Sequence, residues 1–284
     1  MKEKRRIFIV VWLAVVLLLL AASFLVPAAD GGETIQETMR DAVLHESNQI
    51  DLFGLRPVNP GLISGLVVTA VLLVAAACIR IFAIPRFRYV PGKFQLVLEQ
   101  IVGLFDGMAK ANSPWRNGFL GAYIFAAGAY IFVGTLFELF GFQAVTTTGR
   151  SITLPAPLSD INGAIMLGVL SYLVILSGAI VGNGLRGIRS ALTEVSLLIS
   201  MSFRLFGALL SGLLVTELVY YYITLSFVLP VVVAVLFTLL HAVIQSYVLT
   251  MLTALFYGEM SEPKERRLPS PETGRAGLAG HSTT

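Results

Sequence analysis

Charged residues are scarce in this sequence: Asp, Glu, Lys and Arg make up only 13% of its 284 residues, whereas 56% are hydrophobic. A soluble domain carries about 25% charged residues, so the composition excludes an ordinary soluble domain and predicts an integral membrane protein. The single cysteine, Cys78, excludes an intrachain disulfide. The net charge of +3 does not indicate a nucleic-acid partner, because the basic residues lie in segments between apolar runs.

Motifs of catalysis and cofactor binding are also missing. The sequence has no glycine-rich phosphate loop and no Cys/His cluster with the spacing of a metal site. Ser and His residues occur, but no Ser/His/Asp set is placed at an aqueous cleft. We therefore expect no catalytic site on this chain, no cofactor and no bound metal.

What the sequence does contain is long apolar runs, each at least near the ~20 residues that a membrane helix needs. Their unbroken length predicts helices, because membrane strands alternate apolar and polar residues over about 10 positions. Apolar residues that recur at helical spacing over 94–105 predict an amphipathic helix along the membrane interface. The predicted fold is all-α, with about six crossings at 7–26, 60–82, 118–142, 161–181, 190–223 and 225–258.

The first run sets the orientation of the chain. Its basic flank at residues 2–6 predicts that residue 1 is cytoplasmic and that the acidic segment 29–59 lies outside. Residues 1–28 are either a cleaved signal sequence or a retained membrane helix, and the length of the run favours the helix. We expect a membrane domain over 60–258, followed by a flexible cytoplasmic tail at 259–284 that is rich in Pro, Ser and charge.

The last two runs differ from the others in length. Each would form a helix roughly 50 Å long at about 1.5 Å per residue, whereas the hydrocarbon core is only about 30 Å thick. Strong tilt would keep their apolar sides buried, with Ser226 and Pro230 near the turn between them. We therefore predict a hairpin of two long, strongly tilted helices.

Arg204 lies deep inside the fifth run, about 22 Å along a helix from its nearest basic neighbour, Arg189. A cation this far from the headgroups predicts a functional site. At about 100° per residue, small side chains cluster near its face of the helix. Such residues let another helix approach closely, so we expect a partner helix here, with packing inside the chain as the alternative. The small residues are Gly207, Ala208, Ser211 and Gly212.

Polar residues also line one side of the sixth run. Thr238, His241 and Gln245 fall within about 60° of one another on a helix. They lie opposite a run that holds the Arg204 cation and two acids, which favours a hydrated ion path over simple interhelical hydrogen bonding. One acid, Glu217, is about 220° around the helix from Arg204, so it is not a simple salt-bridge partner.

Three other acids lie near the predicted ends of helices. Glu194 is close to the cytoplasmic end of the fifth run. Asp160 directly precedes the fourth run, where its carboxylate is expected to cap the helix. Glu138 is close to the outer end of the third run, which predicts an interfacial carboxylate.

Several of these residues belong to motifs that resemble subunit a of the F-type ATP synthase. Ser202-Phe203-Arg204-Leu205-Phe206-Gly207, followed by Ser211-Gly212, is similar to the signature of that family. Residues 244–253 resemble its final-helix motif, residues 157–162 the stretch before its fourth span, and residues 95–110 its interfacial helix. The resemblance covers about residues 50–258 in order.

The resemblance implies the ion-channel stator subunit of a rotary enzyme, in the bacterial plasma (inner) membrane. Its termini would both be cytoplasmic if the first helix is retained. The implied partners are a c-ring, the subunit b peripheral stalk, lipid, and protons as the default ion, with Na⁺ as the alternative. Of two offset half-channels, one would supply ions to carboxylates on the ring and the other would receive them. Arg204 would stand between them, favour the ionised carboxylate and block leakage, with Gln245 as a helper.

The sequence departs from the family pattern at four positions, one of which is Leu197, where the family has a basic residue. The family usually has Asn at Ala208, an acid at Leu213, and His or an acid at Thr238. Because Glu217 and His241 each lie about one turn further along, we expect the titratable groups of the outer half-channel to be shifted by a turn. The remaining half-channel candidates are Thr238 itself, Glu194 and Asp160.

A stand-alone secondary ion transporter or channel is the alternative function. Transporters of this kind tend to have internal repeats with paired broken helices. The first half of the chain contains no second copy of the Arg204 motif, which favours the stator subunit.

Overall fold

The computed structural model describes residues 10–15, 17–18, 50–52, 55–115, 117–145, 151–221 and 229–262. Residues 10–15 and 17–18, inside the first predicted span, are helical. The longer helices are α1 (Pro60–Cys78), α2 (Lys93–Asn112), α3 (Gly118–Leu139), α4 (Ile161–Thr193), α5 (Val195–Tyr221) and α6 (Leu229–Ser261). The strands are β1 (Ile50–Leu52), β2 (Leu55–Val58), β3 (Gln143–Val145) and β4 (Ser151–Thr153).

The prediction of an all-α membrane protein is confirmed. Within the ranges given above, five helical segments are long and apolar enough to cross a membrane, and they are Pro60–Arg86, Gly118–Leu139, Ile161–Leu185, Val195–Gly212 and Val235–Ser261. Helix α2 covers the segment in which an interfacial helix was predicted. Most of the first predicted span, most of the acidic segment and nearly all of the tail lie outside the described residues. The number of crossings and the tilt of the last two helices therefore stay predictions.

Two short antiparallel hairpins were not predicted. Strand β1 pairs with β2 through Ile50 and Val58, just before α1. Strand β3 pairs with β4 through Gln143 and Thr153, between α3 and α4. The second hairpin follows a turn at Gly141, whose φ of 62° is a left-handed conformation that favours glycine and ends the preceding helix.

Helix α4 is interrupted near the predicted end of the fourth span. Gly184 has φ 57° and ψ −138°, which are not helical values. Residues 185–193 then run back beside the helix. This follows from a 2.8 Å hydrogen bond that the Tyr172 hydroxyl donates to the carbonyl of Ala191, since a straight helix would hold these two residues far apart. A second break at Glu194 separates this return from α5. The long run predicted at 190–223 is therefore not one continuous helix.

Glycine contacts fix the directions of the last three helices. A Cβ on Gly178 or Gly182 of α4 would meet Tyr257 or Ser261 of α6, so these two helices run parallel. Gly168 of α4 lies against Ser202 of α5. Further along α4, Tyr172 contacts Ala191, which precedes Ser202 in the chain. The first part of α4 is therefore antiparallel to the returning segment and to α5. It follows that α5 and α6 are antiparallel.

The core lies between α3, α4, α5 and α6. Its largest fully buried side chains include Ile124, Ile175 and Leu205. Polar side chains add links between helices: Tyr123 and Ser171 hydroxyls lie 2.8 Å apart between α3 and α4. The Ser246 hydroxyl of α6 donates to the carbonyl of Gly128 in α3 at 3.0 Å. These contacts hold α6 against the bundle while one side of α5 stays open.

Candidate functional site

Arg204 lies on an open side of α5. Its side chain is exposed, as are those of Phe203 and Ser211. Gly207 on the same side has no atom within 4 Å of the position that a Cβ would take. Among the described side chains, none forms an ion pair with the guanidinium of Arg204. The helix thus carries a cation on a surface that the other described elements leave uncovered.

The four small residues predicted to surround Arg204 do not share one environment. Gly207 and Ser211 are exposed and Ala208 is partly exposed, with the Ser211 hydroxyl donating to the carbonyl of Ala208 at 2.8 Å. Gly212 instead faces α6, where a Cβ would lie 3.3 Å from Nδ1 of His241. Its small size therefore allows a close approach inside the chain, which is the alternative that the sequence left open.

His241 and Thr238 line a small cleft between α3, α5 and α6. The cleft has a volume of about 10 Å³, which is about the room that one water molecule needs. The imidazole of His241 is partly buried, with its ring centre 5.8 Å from that of Phe237. Phe237 also lines the cleft, and four further residues complete the lining, namely Thr135, Glu138, Leu209 and Gly212.

Glu138 is the titratable residue of this cleft that was missing from the candidate site residues. It had been predicted as an interfacial carboxylate at the end of α3, but the packing of α3 against α6 places it at the same cleft as His241. Thr135 lies one turn earlier on the same helix face. These two polar residues, one turn apart on α3, could have been recognised in the sequence as a polar site. The sequence does not show that their face packs against α6.

Gln245 is nearly inaccessible, with 7% of its surface exposed. Its Oε1 atom has no hydrogen-bond partner among the described atoms. A buried acceptor without a hydrogen bond lowers stability by about 1–3 kcal/mol, so a hydrogen-bond donor to this oxygen would be stabilising. Since Gly212 faces His241 in an antiparallel pair, Gln245 lies at about the level of Ala208, and Arg204 lies about one turn further.

The remaining acids lie elsewhere. Asp160 caps α4, accepting a 3.2 Å hydrogen bond from the backbone N–H of Asn162, which agrees with the capping interpretation. It also packs against the start of α1, where a Cβ on Gly61 would lie 2.8 Å from Asp160 Cβ. Glu194 is partly buried at the break before α5. Glu217 belongs to α5, but its side chain lies outside what the structure describes.

The charged and titratable groups of this arrangement lie apart from one another. The His241 cleft is lined by side chains of α3, α5 and α6, whereas Arg204 lies on an open side of α5 and Glu194 near the break between α4 and α5.

A family model and curated relatives that match this sequence agree with one another. Residues 63–258 match the family model described as ATP synthase A chain. The chain is 25% identical over 199 residues to "ATP synthase subunit a" of Cereibacter sphaeroides (strain ATCC 17025 / ATH 2.4.3), covering 66% of this chain and 76% of that protein. It is 26% identical over 201 residues to "ATP synthase subunit a" of Histophilus somni (strain 129Pt), covering 59% of this chain and 76% of that protein.

Proposed function

The chain belongs to the ATP synthase A chain family, and from that membership we propose that it is the proton-translocating stator subunit of a rotary F-type ATP synthase. As a multi-pass membrane protein it is a membrane subunit of the complex and not its nucleotide-hydrolysing part. We place it in the bacterial plasma membrane with both termini in the cytoplasm. Its partners are a c-ring and the subunit b peripheral stalk.

The observation that carries this proposal is Arg204 on the open side of α5. A guanidinium facing lipid alone would be costly, because an arginine at the centre of a membrane helix costs about 2.5–3.5 kcal/mol or more. A carboxylate on a passing helix of the ring offsets that cost through charge attraction. The exposed Gly207 and Ser211 leave room for such a helix to come close.

The outer half-channel is proposed to run through the cleft that holds Thr238 and His241. Glu138 joins it from α3, and Glu217 is proposed to join it from α5. Asp160 is the outermost candidate, since it caps the end of α4 that the topology assigns to the outer side. Water in a narrow polar cleft would link these groups, so that a proton moves between them in short steps.

The inner half-channel is proposed to open near Glu194, at the break between α4 and α5. Arg204 lies between this acid and the outer cleft along the chain. Its fixed positive charge repels a proton that would pass directly, so transfer requires the ring carboxylate to carry the proton across. Gln245 is proposed to assist, because its buried amide oxygen is an acceptor at the level next to Arg204.

Co-purification and cross-linking test this proposal. With Cys78 replaced by serine, a cysteine at Gly207 should form disulfides with cysteines placed along the ring helix. A cysteine at Leu66, exposed on α1, is the matched control and should form none. A chain that purifies without ring and stalk would instead support a stand-alone transporter or channel, the alternative function.

The shifted outer half-channel has its own test. Replacing Glu217 with Gln or His241 with Ala should slow proton-driven ATP synthesis in membrane vesicles, because each removes a titratable group from the path. Wild-type rates in both variants would show that these residues do not replace the usual half-channel groups.

A further inference from the structure

Three helices meet at the cytoplasmic end of α6. The side-chain nitrogen Nδ2 of Asn183, on α4, donates to the carbonyls of Met260 and Glu262, both at 3.0 Å. The last carbonyls of a helix have no partner within the helix itself. Asn183 therefore caps α6 from a neighbouring helix, next to the break at Gly184.

Close backbone contacts surround this cap. A Cβ on Gly182 would lie 2.5 Å from the carbonyl oxygen of Ser261, and Gly258 is pressed against the carbonyl of Asn112 at the end of α2. The hydroxyls of Ser113 and Ser261 lie 3.4 Å apart. We call this set, Gly182, Asn183, Gly258, Ser261 and Asn112, the clasp. It joins α6 to both α4 and α2 at one point.

The clasp is remote from the proposed ion path, yet it lies on the helix that carries three of its residues. His241 is about 30 Å from Ser261 along α6. A helix resists compression, so a shift of its end shifts His241 by the same amount. A slip of one residue would move the imidazole about 1.5 Å along the axis and about 100° around it. The imidazole lies close to Gly212, with Nδ1 3.3 Å from the position that a Cβ there would take, so that movement would change this contact.

We propose that Asn183 is a positioning residue for proton transfer. By capping the end of α6 it sets the height and rotation of this helix, and so holds His241 against Gly212 and Gln245 level with Ala208. The two hydrogen bonds from Asn183 fix the position of α6 along its axis. The glycines of the clasp allow α6 to contact α4 and α2 closely. This inference rests on the proposed function, because it assigns Asn183 a role in the same ion path.

The test uses the whole complex in its membrane. Asn183→Ala removes both donated hydrogen bonds, whereas Asn183→Gln keeps the amide. Ser177→Ala is the matched control on α4, since the Ser177 hydroxyl donates to the carbonyl of Val174 in its own helix. Spin labels at the exposed Leu170 of α4 and Val243 of α6, in a Cys78→Ser background, report the distance between the two helices.

The expected results separate positioning from simple stability. Asn183→Ala should move the label on α6 along the helix axis by up to about 1.5 Å, the rise of one residue, and so change the label distance from its wild-type value. A misplacement of 1 Å can cost on the order of 100-fold in rate, so we expect ATP synthesis per assembled complex to fall by at least about tenfold. Asn183→Gln should retain most of the rate and the wild-type distance, and Ser177→Ala should match wild type in both measurements.

An unchanged label distance or an unchanged rate in assembled Asn183→Ala would overturn the inference. If alanine prevents assembly, Asn183→Asp carries the test, because it keeps the shape without the N–H donors and must show the same two changes. Arg204→Ala in the same membranes separates two kinds of failure. Coupled synthesis that survives Arg204→Ala would refute the proposed function, whereas wild-type behaviour of the Asn183 variants alone would refute only the positioning role.

Discussion

Replacement of Gly212 tests how closely the proposed ion path is packed. An alanine Cβ at this position would lie 3.3 Å from Nδ1 and 3.5 Å from Cε1 of His241. The first distance is slightly short for a comfortable contact, so the imidazole or the helix must shift. Alanine favours a helix over glycine by about 0.5–1 kcal/mol, but overpacking costs about 1–3 kcal/mol. Subtracting the helix term from the overpacking term leaves about 0–2.5 kcal/mol, so we expect Gly212→Ala to destabilise the bundle by at most about 2.5 kcal/mol.

The effect on function should grow with the size of the side chain. Alanine displaces His241 by only a few tenths of an ångström, so ATP synthesis should fall about two- to threefold. Valine adds two methyl groups at the contact and should displace the ring by about 1 Å, with a loss of more than about tenfold. Proton-driven ATP synthesis in membrane vesicles, divided by the amount of assembled complex, measures both.

A matched control distinguishes local packing from the general effect of removing a glycine. Gly103→Ala in α2 makes the same chemical change at a site with no atom within 4 Å of the new Cβ, so it should keep wild-type synthesis. The reasoning is refuted if Gly212→Val works as well as wild type. It is also refuted if Gly103→Ala is impaired to the same extent as Gly212→Ala.

Three further predictions concern other contacts. Gly207→Leu meets no atom of the described chain within 4 Å of its Cβ, so assembly-normalised synthesis should fall about tenfold only if a ring helix packs there, and unchanged synthesis would argue against that helix. Glu138→Gln and His241→Ala, which change the same cleft, should be non-additive in proton-pumping assays; independent effects would place them on separate paths. Tyr123→Phe loses the 2.8 Å bond to Ser171 and should lower stability by about 1 kcal/mol, seen as a reduced Tm, and an unchanged Tm would contradict that estimate.

The membrane fold follows closely from the sequence because each helix carries its own signal. Apolar runs gave the start of α3 at Gly118 and of α4 at Ile161, and the arginines after residue 181 marked the end of the fourth span. The two hairpins gave no such signal. Their strands have three or four residues, which is at the lower limit for recognising the alternation of a strand.

The candidate site was only partly predictable, for a physical reason. Helical periodicity groups residues on one helix, and it brought Thr238 together with His241. It does not say which neighbouring helix a given face meets. Glu138 was therefore missed and Gly212 was assigned to the side of Arg204, although it faces His241. Both outcomes depend on how α3 and α5 pack against α6, which is a property of the assembled bundle.

The central claim is that Arg204 couples ion flow to a rotor, and proton pumping with passive proton leak in Arg204→Ala membranes tests it most directly. Arg189→Ala is the matched control, because it removes the same charge from an exposed position within the returning segment 185–193. We predict that Arg204→Ala abolishes ATP-driven pumping while the complex still assembles, and that Arg189→Ala pumps normally. Pumping and leak at wild-type levels in Arg204→Ala would contradict the account.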